Sequence, residues 1–224
     1  MDALAQSNID TNTSIAMRAA SESGAPGVLG DIYQEQCNIA IWQRTLSADL
    51  ISGVEELLRS KRSLQTSLRV TPDSALASVR EILQGHPCAI DLSEDIAGLV
   101  EMFSSLFDLD HVGLRLTTLN HAMCPRFHVD RVPCRLVTTY QGPATQWLPH
   151  LQVDRSKLGA GNNGLSDETS GMYQAAEDIQ QINCGDVALI KGELWQGNEG
   201  AGLVHRSPAP KLGEPRLLLT LDFL

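Results

Sequence analysis

From Asp110 onward the chain breaks into short runs: VGLRLTTL, FHVDRVPCRLVTTY, ATQWLPHLQV, DVALIKG and PRLLLTLDFL, each β-branched or alternating and divided by glycine and proline. Their alternation and punctuation predict strands joined by turns. A series of this kind folds as a sandwich or jelly roll. The last run is the most informative, because side chains alternate across a strand. Leu217, Leu219, Leu221 and Phe223 form one apolar face; Arg216, Leu218 and Thr220 form the other. One face is fitted to pack on a neighbouring layer, while the other can look into a cavity.

The first half has a different pattern. Residues 1–28 are rich in Ser, Thr, Asn, Ala and Gly without apolar periodicity, which predicts a flexible arm. Ile39–Trp42 suggests a strand, and Leu50, Val54, Leu57 and Leu58 have helical spacing. Ser74–Leu83 and Ser93–Leu106 each open on serine near an acid and repeat apolar residues at three- and four-residue steps, as capped helices do. The expectation is an α+β chain: a mainly helical support over residues 29–108, packed on a double-stranded β-helix, a jelly roll of cupin-like form, over residues 109–224.

Composition narrows the possible functions. With 224 residues, 42% apolar and 20% charged, the chain can bury one substantial core. A net charge of −10 and scattered basic residues argue against sequence-independent nucleic-acid binding. The five cysteines are odd in number and form no CxxC pairs, so neither a disulfide framework nor a zinc ribbon is indicated. No export signal or run of membrane-spanning length is present, and the expected location is the cytoplasm. No heptad pattern speaks for an oligomer.

Residues i and i+2 of a strand share a face, so His128 and Asp130 of FHVD can place an imidazole beside a carboxylate. His205, in GLVHRSPAP between two predicted strands, supplies a third donor. Two histidines and one carboxylate make a facial triad that leaves positions open on a non-haem Fe(II). Arg216, on the inward face of the last strand, can grip a carboxylate in bidentate fashion. Together they suit a dicarboxylate such as 2-oxoglutarate. A competing role for Arg216 is a surface pair with Glu214 or Asp222.

The ordered set FHVD, RLVTTY, GDVALIKG, HRSPAP and RLLLTLDF resembles the Fe(II)/2-oxoglutarate-dependent oxygenases, particularly their prolyl-hydroxylase-like branch. NIAIWQR upstream and TYQGPATQWL extend a closer resemblance to a bacterial family known only as a domain of unknown function. The superfamily resemblance implies His128, Asp130 and His205 as iron ligands and Arg216 as partner of the distal 2-oxoglutarate carboxylate. It also implies Thr138 and Tyr140 as secondary cosubstrate contacts, although strands favour both residues for packing alone. The implied activity couples decarboxylation of 2-oxoglutarate, with O2, to hydroxylation or demethylation of a small-molecule or protein substrate that the sequence does not identify.

Two other functions use the same ligands. A non-catalytic jelly roll of metal homeostasis could hold zinc or iron there, because imidazole and carboxylate accept Zn as readily as Fe(II). A cupin-type enzyme could use the triad without 2-oxoglutarate. Gly159, Gly161 and Gly164 spell GxGxxG, but no buried strand precedes them and no apolar helix follows, so a dinucleotide site is rejected. Cys124 and Cys134, with His121 or His128, offer a zinc alternative, with ordinary thiols the commoner outcome. The polar, glycine-rich stretch Lys157 to Gly171 is expected either to cover the pocket mouth or to be a surface insertion.

Overall fold

A computed structural model describes residues 18–60 and 63–224. In chain order its elements are β1 (Ala19–Ser23), a 3-10 helix (Pro26–Tyr33), β2 (Cys37–Trp42), α1 (Ala48–Arg59), β3 (Gln65–Val70), α2 (Pro72–Ile82), α3 (Ala89–Phe107), β4 (Val112–Leu119), β5 (Cys134–Gln141), β6 (Gln146–Leu148), β7 (Gln180–Gln181), β8 (Val187–Lys191), β9 (Val204–Arg206) and β10 (Arg216–Phe223). Seven strands form one sheet in the order β1-β2-β8-β5-β10-β4-β3, and three form a second in the order β7-β6-β9. Apart from the parallel β1–β2 pair, all pairings are antiparallel. The architecture is α+β with a jelly roll at its centre.

The alternation of β10 explains the layering. Leu217, Leu219 and Leu221 are fully buried among helix residues including Leu57, Leu92, Ile96 and Phe103. Burying each such leucine is worth roughly 1.5–3 kcal/mol. Leu218 points the other way, into the core between the sheets, with Ile39, Ile41, Val137, Trp147, Ile190 and Leu203. A third cluster, Phe127, Leu148, Met172 and Val204, lies on the outer face of the small sheet.

Both Ser-based helix starts are placed a turn late by the sequence pattern. Thr71 caps α2 in a capping box with Ser74, and Pro72 occupies the first turn, where its missing N–H is not needed. α3 begins at Ala89; Ser93 lies inside it, buried, its hydroxyl donating to the Ile90 carbonyl at 2.9 Å. The cap of α1 is Ser47, which accepts from the Leu50 amide at 3.2 Å.

The region 29–108 is less purely helical than its sequence suggests, since β2 and β3 join the large sheet on either side of the strands contributed by residues 109–224. Of the arm expected over 1–28, residues 1–17 lie outside the described residues. Ala19–Ser23 form the outermost strand beside β2.

Candidate metal centre

The segment before β5 alternates as a strand does. Phe127 and Val129 face the outer cluster, which turns His128 and Asp130 inward. The backbones of His128 and His205 exchange both hydrogen bonds, each at 3.0 Å, so the histidines stand opposite one another with ring centroids 4.6 Å apart. The glycine after β8 makes room for this turn: a Cβ on Gly192 would lie 2.1 Å from the Val132 carbonyl oxygen and 2.8 Å from that of Asp130. The neighbouring Glu193 amide donates to the same Asp130 carbonyl at 2.9 Å.

The ring orientations are fixed by backbone carbonyls. His128 Nδ1 donates to the Arg126 carbonyl at 2.9 Å and His205 Nδ1 to that of Leu203 at 3.1 Å. This tautomer leaves both Nε2 atoms free to act as ligands. They lie 3.6 and 3.5 Å from the Asp130 oxygens, and one donor atom from each residue falls within 4.8 Å of the others. Donors at about 2.1 Å from a common ion are separated by about 3–4 Å, so the set suits a divalent transition metal. It is the one such cluster of His, Cys, Asp and Glu among the described residues. Burial opposes the Asp130 charge, but both histidines and Arg135 hold its carboxyl well below the usual range. The Asp130 hydrogen bond outweighs burial at His128 and raises its pKa.

Arg216 is completely buried on the face of β10 that looks between the sheets. Its guanidinium donates to three hydroxyls: Ser207 Oγ at 2.6 Å, Thr139 Oγ1 at 3.0 Å and Thr145 Oγ1 at 3.2 Å. Among the described residues no carboxylate pairs with it. Burial without an anion lowers its pKa to about 10. Neither suggested surface pairing forms, since Asp222 binds Arg135 instead, at 2.7 Å.

Thr138 and Tyr140 share a face of β5, but it is the face toward the helices. Tyr140 is buried among Leu136, Leu217 and the helix residues, and its hydroxyl donates to Asp95 at 2.5 Å. Arg44 holds the same carboxylate through two bonds of 2.6 and 3.0 Å. The Thr138 hydroxyl is buried without a hydrogen-bond partner. The expected cosubstrate contacts thus belong to the sheet–helix core. Thr139, between them, is the residue that reaches Arg216.

The stretch 157–171, with its flanks, is packed on the outer face of the small sheet through Val153, Leu158, Met172 and Tyr173. Asp167 is its anchor: this buried carboxylate accepts from the Phe127 amide at 2.8 Å and pairs with Arg206 at 3.3 Å and Arg126 at 3.4 Å. Each histidine of the cluster is therefore adjacent in sequence to a residue that Asp167 holds. The zinc alternative fails on placement, because Cys134 is buried on the helix side while Cys124 is exposed. A separate groove of about 1300 Å³ runs along β3 and β4, past Met123, Gly142 and Pro215, and includes no triad residue.

Residues missed by the sequence reading carried weak signals. Ser207 shares a face with His205 two positions earlier, and Thr139 shares one with Val137. Thr145, Arg135, Asp222 and Asp167 depend on pairings between distant segments, which no local pattern displays.

Among solved structures, the chain resembles dioxygenase for auxin oxidation 1 from Arabidopsis thaliana, solved as a complex with 2-oxoglutarate. The match has a TM-score of 0.50 at 8% identity and covers 93% of this chain and 92% of that one. It also matches the rice dioxygenase for auxin oxidation, with a TM-score of 0.49, 13% identity and coverage of 92% and 83%. A prolyl-4-hydroxylase from Pseudomonas putida aligns with a TM-score of 0.45, 14% identity and coverage of 88% and 90%. At such identities the Arabidopsis match establishes the fold alone. No curated protein matches the chain. No described helix is long and apolar enough to cross a membrane. A family profile described as "Protein of unknown function (DUF1826)" matches residues 23–222, and the chain belongs to that family.

Proposed function

We propose that this protein is an Fe(II)/2-oxoglutarate-dependent oxygenase, with His128, Asp130 and His205 as metal ligands and Arg216 as the cosubstrate clamp. The observation that carries the reading is the buried Arg216 guanidinium, surrounded by hydroxyls with no carboxylate. Burying a cation without an anion is expensive, and a site that maintains one is suited to an anionic ligand. Ser207, which binds Arg216, lies two residues beyond His205. A short dicarboxylate could therefore meet the arginine at one end and the triad at the other. The fold shared with a protein solved in complex with 2-oxoglutarate supports the same assignment.

When bound, iron would supply the oxidising chemistry. The chain's own tasks are to present Nε2 of both imidazoles, hold the Asp130 carboxylate ionised and neutralise the far carboxylate through Arg216. Thr139 and Thr145 would orient the guanidinium fork. The test is anaerobic titration of the Fe(II)-loaded protein with 2-oxoglutarate, following the visible charge-transfer band of chelation. The expected result is a band whose midpoint moves to higher 2-oxoglutarate in Arg216→Met. Iron binding without a band would overturn the assignment in favour of a metal carrier or a cupin-type enzyme.

A further inference from the structure

Asp130 has a partner that the ligand set does not require. Arg135 Nη1 donates to Asp130 Oδ2 at 2.7 Å, while its Nε donates to Asp222 Oδ1, also at 2.7 Å. Arg135 and Asp222 face one another across β5 and β10, so the sheet register itself fixes the guanidinium. All three side chains are largely buried. Charge-assisted bonds of this length are strong and directional.

A carboxylate can bind a metal through one oxygen or through both. Bonding both oxygens would consume a position that a facial triad leaves free for exchangeable ligands. The Arg135 bond engages Oδ2 and restrains rotation of the carboxylate, with Oδ1 3.6 Å from His128 Nε2 and Oδ2 3.5 Å from His205 Nε2. Asp222 is needed because an arginine with a single acidic partner could follow that carboxylate as it turned. The second bond anchors the guanidinium to the opposite strand.

We infer that Arg135, held by Asp222, is a positioning residue that keeps Asp130 a one-oxygen ligand and so preserves three open positions on the metal. The inference rests on the triad holding a metal, and is independent of which cosubstrate occupies the open positions.

The test counts water on bound Mn(II) by the broadening of its EPR lines in 17O-enriched water, without 2-oxoglutarate. Wild-type protein should hold three waters, whereas Arg135→Gln, with no cation to engage Oδ2, should hold two. Arg135→Lys keeps the charge but cannot span both carboxylates, and should also hold two. Asp222→Asn, which retains an oxygen acceptor for Arg135 Nε, should keep the count at three. An unchanged count in either arginine variant would overturn the inference, and a three-water lysine variant would show that charge alone suffices. Failure of wild-type protein to bind Mn(II), Fe(II) or Co(II) would instead defeat the metal reading beneath it. The count is made on folded, metal-loaded protein, so a purely structural loss of stability does not alter it.

Discussion

Arg44 and Arg216, the first partly and the second completely buried, lie on opposite sides of the same sheet, and their surroundings differ in one respect. Arg44 faces the helices and meets a carboxylate of its own chain, Asp95, which Tyr140 also binds. Arg216 faces the small sheet and meets only hydroxyls. The first arrangement is electrostatically complete. The second has hydrogen-bond partners but no counter-charge, the condition expected where an exchangeable anion forms part of the working site.

The sharpest separation of the two sides should come from the triad. His205→Ala is expected to abolish stoichiometric Co(II) binding in calorimetry, and with it any metal-induced rise in Tm, while the Arg44–Asp95–Tyr140 network keeps the apoprotein folded. Next in size, the two arginines should respond to the same substitution with opposite signs. Arg44→Met leaves Asp95 without its cation and should cost about 3 kcal/mol in urea unfolding. Arg216→Met removes an uncompensated buried charge and should stabilise the apoprotein by about 1 kcal/mol, yet weaken 2-oxoglutarate binding roughly 30-fold or more. Loss of stability in both variants, with no change in cosubstrate affinity, would erase the distinction.

Acidity should act on the metal side first. A ligating Nε2 must be free of its proton, and the Asp130 carboxylate, as acceptor for the protonated ring, raises the His128 pKa above its ordinary value. Apparent metal affinity is therefore expected to rise with pH, by up to about tenfold per unit, and to level off only above that raised pKa. A flat profile from pH 6 to 8 would contradict the assignment of His128. The smallest effects should divide adjacent residues of β5. Tyr140→Phe should cost about 1 kcal/mol of stability and leave ligand binding alone, whereas Thr139→Val should weaken 2-oxoglutarate binding about fivefold. Thr138→Val, which removes a buried hydroxyl that has no partner, should stabilise by about 1 kcal/mol.

These neighbours also show what the sequence could reveal. Period-two alternation sorts PRLLLTLDF into two faces, and the all-leucine face must be the one on the helices, so the inward direction of Arg216 is readable. The same rule groups Thr138 with Tyr140 but does not say which side they take; a slip of one residue exchanges the faces. Leu136 and Cys134, on the same face, were the available clue to the helix side. The pairing of β5 with β10 passes over Tyr140, and no local pattern marks that shift. FHVD and His205 could be found because each proposed ligand stands in a strand-like context. Arg135 and Asp222 could not, because their partnership exists only once two segments far apart in sequence have come into register. The 157–171 stretch reads as an insertion because its composition is polar, although one buried aspartate makes it a brace.

The sheet order also bears on synthesis and truncation. β8 receives β2 on its outer side, and β4 receives β3, so strands made early in translation wait for partners made late. Such long-range pairing is slow to form and exposes unpaired strand edges meanwhile. A fragment beginning at residue 109 would carry every proposed metal ligand and the clamp, but would present two naked edges and an uncovered leucine face. The expected product is aggregate rather than a minimal oxygenase. The smallest unit expected to display the proposed metal centre is nearly the whole described chain, which makes the N-terminal half, without a proposed ligand of its own, a condition for assembling the other.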